Sequence, residues 1–327
     1  MTIRDTAALR QHARSALANT PARKTIAYVY TAVVVVLSLA LTLGDYALSE
    51  MISGTGGLGN MGTRTILSTF QSMLPIVQIL ILLGWNAGYS ITVLKIAREE
   101  YADADTLKSG FSLFFPMLRM MLLEGAIYFG LCMISFYLAF QIYMFTPWAV
   151  ELMEVVEPML PSILNSATPV IDEAAMFPMM RAMAPMMLIF AGIYFLLAIP
   201  MGYRLRMRIF CLIDNPRMGA LRAISTSRRI MRRNCFQLFK LDLSFWWYHG
   251  LMLLATGIQM LPLTDLLPMD YDLAFYLCYG LYLALTVLVY VLVRNRVEVA
   301  YAAAYETLRE KPQEPQNQVV LGNIFDM

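Results

Sequence analysis

Long blocks of apolar residues without charge constrain this chain more than any other feature. The first block runs from Ala27 to Gly44 and includes four consecutive valines, Val33 to Val36. Four β-branched residues in a row favour a strand in water. However, a helix of about 20 apolar residues matches the roughly 30 Å hydrocarbon core of a bilayer. The length of the block therefore predicts a membrane-spanning helix.

Five further blocks repeat this pattern. Their number predicts an all-α, polytopic membrane bundle of six spans, at about 27–44, 74–94, 120–143, 185–203, 241–261 and 273–293. Composition agrees with this fold class, because 59% of the residues are hydrophobic and only 15% are charged. A soluble domain of this size usually carries about 25% charged residues, which keep its surface hydrated.

Lysine and arginine are distributed unevenly among the loops. If the N-terminus is cytoplasmic, the inner segments hold 23 of the 25 basic residues, and the outer loops hold only Arg64 and Arg181. Cytoplasmic loops of membrane proteins are enriched in Lys and Arg. The split therefore predicts six spans with both termini in the cytoplasm, whereas an odd number of spans would scramble it.

The predicted organisation is one six-span membrane domain over residues 1–311 and a disordered tail over residues 312–327. The tail is polar and contains Pro and Gln, a composition that cannot form a packed core. The outer loop from Pro147 to Arg181 contains Glu151, Glu154 and Glu157 near its start, followed by prolines and methionines. This loop is long enough to contain a short helix on the outer surface.

The inner segment at about 216–233 has the pattern of an amphipathic helix. Asn215 followed by Pro216 is a favourable helix start. At 3.6 residues per turn, apolar residues gather on one side: Ala220, Leu221, Ala223, Ile224, Ile230 and Met231. Four arginines gather on the other side: Arg222, Arg229, Arg232 and Arg233. We expect the apolar face at the acyl boundary and the arginines among anionic headgroups, either as a generic anchor or for a specific lipid or protein.

Polar residues inside the predicted spans are candidates for function, because placing them in lipid is costly. Glu124, in the third span and five residues past Arg119, is the notable intramembrane charge. An ionised residue at mid-span costs about 2.5–3.5 kcal/mol. Two structural roles are open: an ion pair with an arginine at the inner end of the fourth span, or a protonated carboxyl bonded to a neighbour. The third alternative is transport or proton relay. Gln78, Asn86 and His249 complete this set.

Gly84 and Gly88 stand one helical turn apart in the second span. Small residues at this spacing allow two helix backbones to approach closely. We therefore expect them to form a helix-packing face.

Several classes of function find no support in the sequence. The net charge of +2 gives no basic field for nucleic acid, and two histidines are too few for a histidine-based metal centre. The four cysteines form no paired Cys-x-x-Cys zinc pattern. HExxH, Gly-x-Ser-x-Gly and Walker lysine motifs are absent from the sequence. We expect no cofactor, no metal and no enzymatic activity.

The stretch from Tyr203 to Trp247 resembles the hallmark segment of an uncharacterised bacterial membrane family, domain of unknown function 975. The resemblance is carried by Asp214-Asn215-Pro216, Ala223 to Ser227, Met231 to Asn234, and Leu241 to Phe245. Weaker echoes are Ala13 to Leu17, Gly88-Tyr89 leading to Ala97-Arg98, and Ala302 to Glu306. The resemblance implies a multi-pass protein of the bacterial plasma membrane and supplies no activity.

The function expected from these features is a non-enzymatic sensor, scaffold or accessory protein for lipid or envelope components. Its partners would be the bilayer, anionic headgroups at the inner face and other membrane proteins. The alternative is a small-solute transporter or channel that uses Glu124, with Gln78, Asn86 and His249 lining the path.

Overall fold

The computed structural model describes residues 5–54, 61–157, 173–260 and 271–309. The chain is helical through these ranges, and no strand occurs in them, which confirms the predicted all-α class. The α-helices are α1 (Thr6–Asn19), α2 (Arg23–Gly54), α3 (Met61–Ala97), α4 (Phe114–Met144), α5 (Pro147–Val156), α6 (Glu173–Leu205), α7 (Arg208–Asp214), α8 (Ala220–Met231), α9 (Cys235–Ser244), α10 (Trp246–Met260), α11 (Tyr271–Val289) and α12 (Asn295–Leu308). A 3₁₀ helix, Asp105–Leu113, precedes α4, and a π-helical turn, Tyr290–Arg294, joins α11 to α12.

Five helical segments are long and apolar enough to cross a membrane. They are Arg23–Gly54, Gly62–Ala97, Asp105–Met144, Phe177–Asp214 and Tyr276–Leu308. They correspond to the first, second, third, fourth and sixth predicted spans, and most extend several residues further. The helices are longer because backbone hydrogen bonding continues through polar flanks that the apolar blocks do not include.

The fifth predicted span, 241–261, is divided in the structure. Helix α9 ends at Ser244, Phe245 adopts φ −111° and ψ 24°, and α10 begins at Trp246. The N–H of Phe245 donates to the carbonyl of Asp242, only three residues back, at 2.9 Å. The described part of α10 has 15 residues, fewer than the roughly 20 that cross a bilayer. The sixth crossing and the side of each terminus stay predictions.

The chain divides into two compact units. The first comprises Met1–Arg119 and Arg206–Met327, and the second is Met120–Leu205. The core of the first unit is α12, of which nine side chains are buried: Val297, Val299, Ala300, Tyr301, Ala302, Ala303, Ala304, Tyr305 and Leu308. Helix α1 packs on α12 and buries Leu9, Ala13, Ala16 and Leu17, and the end of α3 also packs there. Alanines on α1 and α12 allow these helices to approach closely.

The second unit is a pairing of helices around Tyr143. The Tyr143 hydroxyl lies 2.8 Å from the carbonyl of Trp148 and 2.9 Å from that of Ala182. These contacts join α4 to the start of α5 and to α6. Helix α5 provides a short helix within the segment 147–181, as predicted, although its position on an outer surface stays a prediction.

The arginine-rich helix begins later than predicted. Asn215 ends α7, with its N–H donating to the carbonyl of Cys211 at 3.3 Å, and a turn follows in which the Met218 N–H donates to Asn215. Pro216 lies in that turn, because proline interrupts a helix. Helix α8 covers Ala220–Met231 rather than 216–233, so the predicted start is wrong. The predicted tail, 312–327, lies outside the described residues.

Candidate functional site

A network of ion pairs lies in the first unit, where α3, α7 and α12 meet. Nη2 of Arg98 lies 2.6 Å from Asp214 Oδ1 and 2.5 Å from Glu306 Oε1. Arg309 completes the network through Nε, 3.3 Å from Asp214 Oδ2, and Nη1, 3.7 Å from Glu306 Oε2. The Tyr305 hydroxyl donates to Asp214 Oδ2 at 2.8 Å. Asp214 is the centre of the network, and its side chain is only 5% exposed.

The charges of this network balance, with two guanidinium groups facing two carboxylates. Partial burial acts to lower the pKa of Arg98, but hydrogen bonds to Asp214 and Glu306 outweigh it and raise that pKa above its ordinary value. Arg98 therefore stays protonated at any physiological pH. The network joins three helices that are far apart in sequence and stabilises their packing.

Helix α8 presents its arginines to the outside of the first unit. Arg222 and Arg229 on the helix, and Arg232 and Arg233 directly after its end, are all exposed. The opposite side of the helix is buried in protein, through Ala223, Ile224, Ser227 and Met231. The expectation that this apolar face lies at the acyl boundary is therefore wrong for these residues, because they pack against the unit's own core. Leu221 differs, with 70% of its surface exposed.

A second cationic feature, absent from the sequence-based candidates, is the guanidinium of Arg294. Its Cζ lies 4.3 Å from the ring centre of Tyr290, 4.6 Å from that of Tyr30 and 5.0 Å from that of Tyr89. Arg294 is the last residue of the π-helical turn, and π-helical turns occur frequently at functional sites. We call this group the tyrosine cage.

Two asparagines connect the tyrosine cage to its surroundings. The Tyr30 hydroxyl donates to Asn86 Oδ1, and the Tyr89 hydroxyl donates to Asn295 Oδ1 at 2.6 Å. The Asn295 amide also lies 3.3 Å from the carbonyl of Arg23. The cage thus links α2, α3 and α12.

The predicted intramembrane polar residues lie in different surroundings. Asn86 belongs to the tyrosine cage, whereas Gln78 Nε2 lies 3.5 Å from Ser38 Oγ on α2. His249 is exposed, with its ring centre 5.1 Å from that of Tyr248. These three residues therefore have different neighbours, and a path lined by all of them stays a prediction.

Glu124 belongs to the second unit and is half-buried on α4. It shares a helix face with Tyr128, four residues later. A Cβ built on Gly202 of α6 would lie 3.3 Å from the Tyr128 hydroxyl. The hydroxyl end of Tyr128 therefore reaches α6 at Gly202. An ion pair between Glu124 and an arginine stays a prediction.

Gly84 and Gly88 face the 3₁₀ helix, where its Gly110 approaches them. A Cβ on Gly88 would lie 1.7 Å from the carbonyl oxygen of Leu107, and a Cβ on Gly110 would lie 2.0 Å from the Gly88 nitrogen. Only hydrogen side chains fit at such separations. These two glycines thus occupy a site of close backbone contact, where α3 packs against the 3₁₀ helix.

Among models of known protein families, the one described as "Protein of unknown function (DUF975)" matches residues 9–311. The match covers most of the chain's 327 residues. The chain belongs to the DUF975 family. This confirms the resemblance seen in the sequence. No curated protein and no solved structure matches this DUF975 member.

The segments that carried the DUF975 resemblance come together in the ion-pair network. Arg98 follows Gly88-Tyr89, Asp214 begins the Asp-Asn-Pro turn, and Glu306 ends the segment from Ala302. The sequence did not reveal this pairing, because more than 100 residues separate each partner from Arg98. The one available signal was that Arg98, Asp214 and Glu306 each lie in a segment that resembles the family. Of the tyrosine cage, only Tyr89 lies in such a segment, and nothing in the sequence indicated that Arg294 meets it.

Proposed function

We propose that this DUF975 member is a multi-pass protein of the bacterial cell membrane that associates with anionic lipids through α8 at the cytoplasmic face. It acts there without catalysis, as a sensor or scaffold for lipid or envelope components. The observation that carries the proposal is the two-sided helix α8. Four exposed arginines, Arg222 and Arg229 on α8 and Arg232 and Arg233 directly after its last residue, accompany a helix whose other side is buried in the protein.

The burial of α8 matters because it holds the arginines in a fixed array. A basic residue near an anionic leaflet contributes on the order of 1 kcal/mol of attraction, and the effect falls off within a Debye length. Mobile arginines would lose part of this attraction as side-chain and backbone entropy. The helices that follow expose aromatic residues suited to the headgroup level, including Phe236, Phe239 and Trp246.

Lipid retention in nanodiscs tests this proposal. The purified protein is reconstituted with zwitterionic lipid alone or with about one-third anionic phosphatidylglycerol, and bound lipids are counted by native mass spectrometry. We expect enrichment of the anionic lipid around the wild type. A variant with Arg222, Arg229, Arg232 and Arg233 all changed to Gln should lose most of it.

The matched control changes Arg64 and Arg181, both exposed and both in predicted outer loops, to Gln. These substitutions should leave the enrichment unchanged. Equal enrichment in wild type and the fourfold α8 variant would exclude the lipid role of α8. If the control lost as much anionic-lipid enrichment as the fourfold variant, the effect would be due to net charge and not to the position of the arginines.

A second candidate function is transport of a small polar solute. The observation that favours it is an open cavity of about 310 Å³ in the first unit, between α2, α3 and α11. Its polar lining consists of Ser38, Thr42, Asp45, Gln78, Tyr279 and Tyr282. Proton flux into proteoliposomes, followed with an entrapped pH-sensitive dye, tests this alternative. Flux that is lost in Asp45→Asn or Gln78→Ala, which change residues of the cavity lining, would favour transport over lipid association.

A further inference from the structure

A basic cavity lies in the first unit where the turn between α1 and α2 meets the start of α12. Its volume is about 340 Å³, within the range of small-ligand pockets. Four cations line it, Arg14, Arg23, Lys24 and Arg296, and no acidic residue does. No ion pair joins any of the four to an acid among the described residues.

A second cavity of about 130 Å³ shares Arg14 and Arg296 with the first. Arg10 adds a fifth cation to its lining, and Trp247 and Phe245 form part of its wall. The Nε of Arg10 is buried and has no hydrogen-bond acceptor in the described part of the chain. The two adjoining cavities therefore present five cationic side chains that form no ion pair with any acid in the described ranges of the chain.

The frame of the cavities is held in place by hydrogen bonds. Arg23 Nη1 donates to the carbonyl of Leu17 at 3.1 Å, and the Asn295 amide lies 3.3 Å from the carbonyl of Arg23. These bonds fix the α1–α2 turn against α12. A site that is already formed loses less entropy when it binds a ligand.

One side of the larger cavity is apolar and continues along a span. Tyr28 and Leu292 line the cavity and are exposed by 57% and 59%. Along α2, exposed residues follow Tyr28 at helical spacing: Ala32, Val36, Leu39 and Leu43. This stripe suits an acyl chain that extends away from a headgroup, which a free inorganic anion would not need.

We infer that the two cavities bind the headgroup of an anionic glycerophospholipid with two phosphate groups, of the cardiolipin type. Each cavity takes one phosphate, and Arg14 and Arg296 stand between them. The acyl chains lie along the exposed stripe of α2. Basic pockets between membrane helices recognise such headgroups by charge and by hydrogen bonds to phosphate oxygens. The inference rests on the chain being a membrane protein, as does the proposed function, but it uses none of the α8 arginines.

Titration of cardiolipin, phosphatidylglycerol and phosphatidylcholine into the detergent-solubilised full-length protein, followed by native mass spectrometry, tests the inference. Cardiolipin should bind most tightly, with one tight site. The Arg14→Gln, Arg296→Gln double variant should weaken it roughly tenfold or more, since each arginine contributes on the order of one such charge contact. Inorganic pyrophosphate should compete only weakly, and full competition would identify a free anion as the ligand instead.

Two comparisons keep the result specific. The Arg14→Lys, Arg296→Lys variant retains the charges and should bind within a few-fold of wild type, which shows that the sites still fold. The Arg217→Gln, Arg228→Gln variant loses the same net charge at exposed positions elsewhere and should bind as wild type. Unchanged cardiolipin binding in the Arg14, Arg296 Gln variant, or an equal loss in the Arg217, Arg228 variant, would overturn the inference. If the fourfold α8 variant kept the anionic-lipid enrichment of the wild type, only the proposed function would be excluded, and this inference would stand.

Discussion

Helices α12 and α3 show that apolar content and burial in protein are separate properties in this molecule. Helix α12 has a mixed composition, yet nine of its 14 side chains are buried. The most apolar 18-residue window of the span at α3 has no buried residue. The first helix is stabilised by its neighbours in the first unit. The apolar side chains of the second helix are not covered by protein, and the hydrocarbon core of a bilayer would keep them away from water.

The same comparison applies to charges. Near α12, cations meet partners: Arg98 and Arg309 meet carboxylates, and Arg294 meets three rings. At the α1–α2 turn and along α8, several arginines lie exposed at the surface. The first group stabilises the fold, and we propose that the second group contacts anionic lipids. Four substitutions at positions with protein contacts, each paired with an exposed control, test this comparison, from the largest expected effect to the smallest.

Adding one methyl group at Gly88 should have the largest effect. In Gly88→Ala the new Cβ would lie 1.7 Å from the Leu107 carbonyl oxygen, so α3 and the 3₁₀ helix must separate. We expect a loss of about 3 kcal/mol or more, or failure to fold, because backbone cannot move aside as a side chain can. Thermal unfolding in detergent measures it. Gly192→Ala is the control, since its Cβ would meet nothing within 4 Å, and equal unfolding temperatures for the two variants would contradict the close contact.

The next largest difference is expected between leucine-to-alanine substitutions at a position buried in protein and at an exposed position of a span. Leu94 is 1% exposed and Leu188 is 73% exposed. Leu94→Ala should cost about 2–4 kcal/mol through lost burial and a cavity. Leu188→Ala should change the unfolding temperature little, because lipid or detergent covers that side chain in both states. A larger loss at Leu188 would mean that protein covers this side chain.

Removing the central carboxylate should cost somewhat less. Asp214→Asn leaves Arg98 and Arg309 with only Glu306, and we expect a loss of about 2 kcal/mol, reduced by the partial exposure of both arginines. Hydrogen exchange at α7 and α12 should increase. Asp105→Asn breaks the exposed pair with Lys108 and should leave exchange unchanged. If the two variants behaved alike, the network would not stabilise the unit.

The smallest of the four effects is expected in the tyrosine cage. Arg294→Met keeps the apolar stem and removes the charge from three rings, which should cost about 1–2 kcal/mol. Tyrosine fluorescence and thermal unfolding both report on it. Lys240→Met removes a single cation from the exposed Phe236 ring and serves as the control. If Arg294→Met unfolded at a higher temperature than wild type, the desolvation cost of the guanidinium would exceed its attraction to the three rings.

Much of the fold could be predicted from the sequence because lipid-facing helices need long apolar blocks. The family segment from Asp214 to Phe245 was likewise visible in the residues. The break at Phe245 was not predictable, because Leu241 to Phe245 is apolar enough to continue a helix. The burial of Ala223, Ile224 and Met231 could not be predicted either, because an apolar face does not reveal whether lipid or protein covers it.

The site was harder to predict than the fold. Asn86 was identified as a polar residue in a span, but its partner Tyr30 lies 56 residues away. Arg23, Lys24 and Arg296 were counted only toward orientation, and Arg14 was also part of the family-like segment Ala13 to Leu17. Their meeting around one cavity depends on the packing of α1 against α12. Such long-range contacts leave no periodic pattern in a single sequence.

The central claim is that the spans cross a bilayer and leave the arginine helix on its cytoplasmic side. Labelling with a membrane-impermeant maleimide tests it, in a background with Cys132, Cys211, Cys235 and Cys278 changed to Ser or Ala. In intact cells Arg64→Cys should label and Arg232→Cys should not, and in inverted membrane vesicles the result should reverse. Labelling of both positions from the same side would contradict the account.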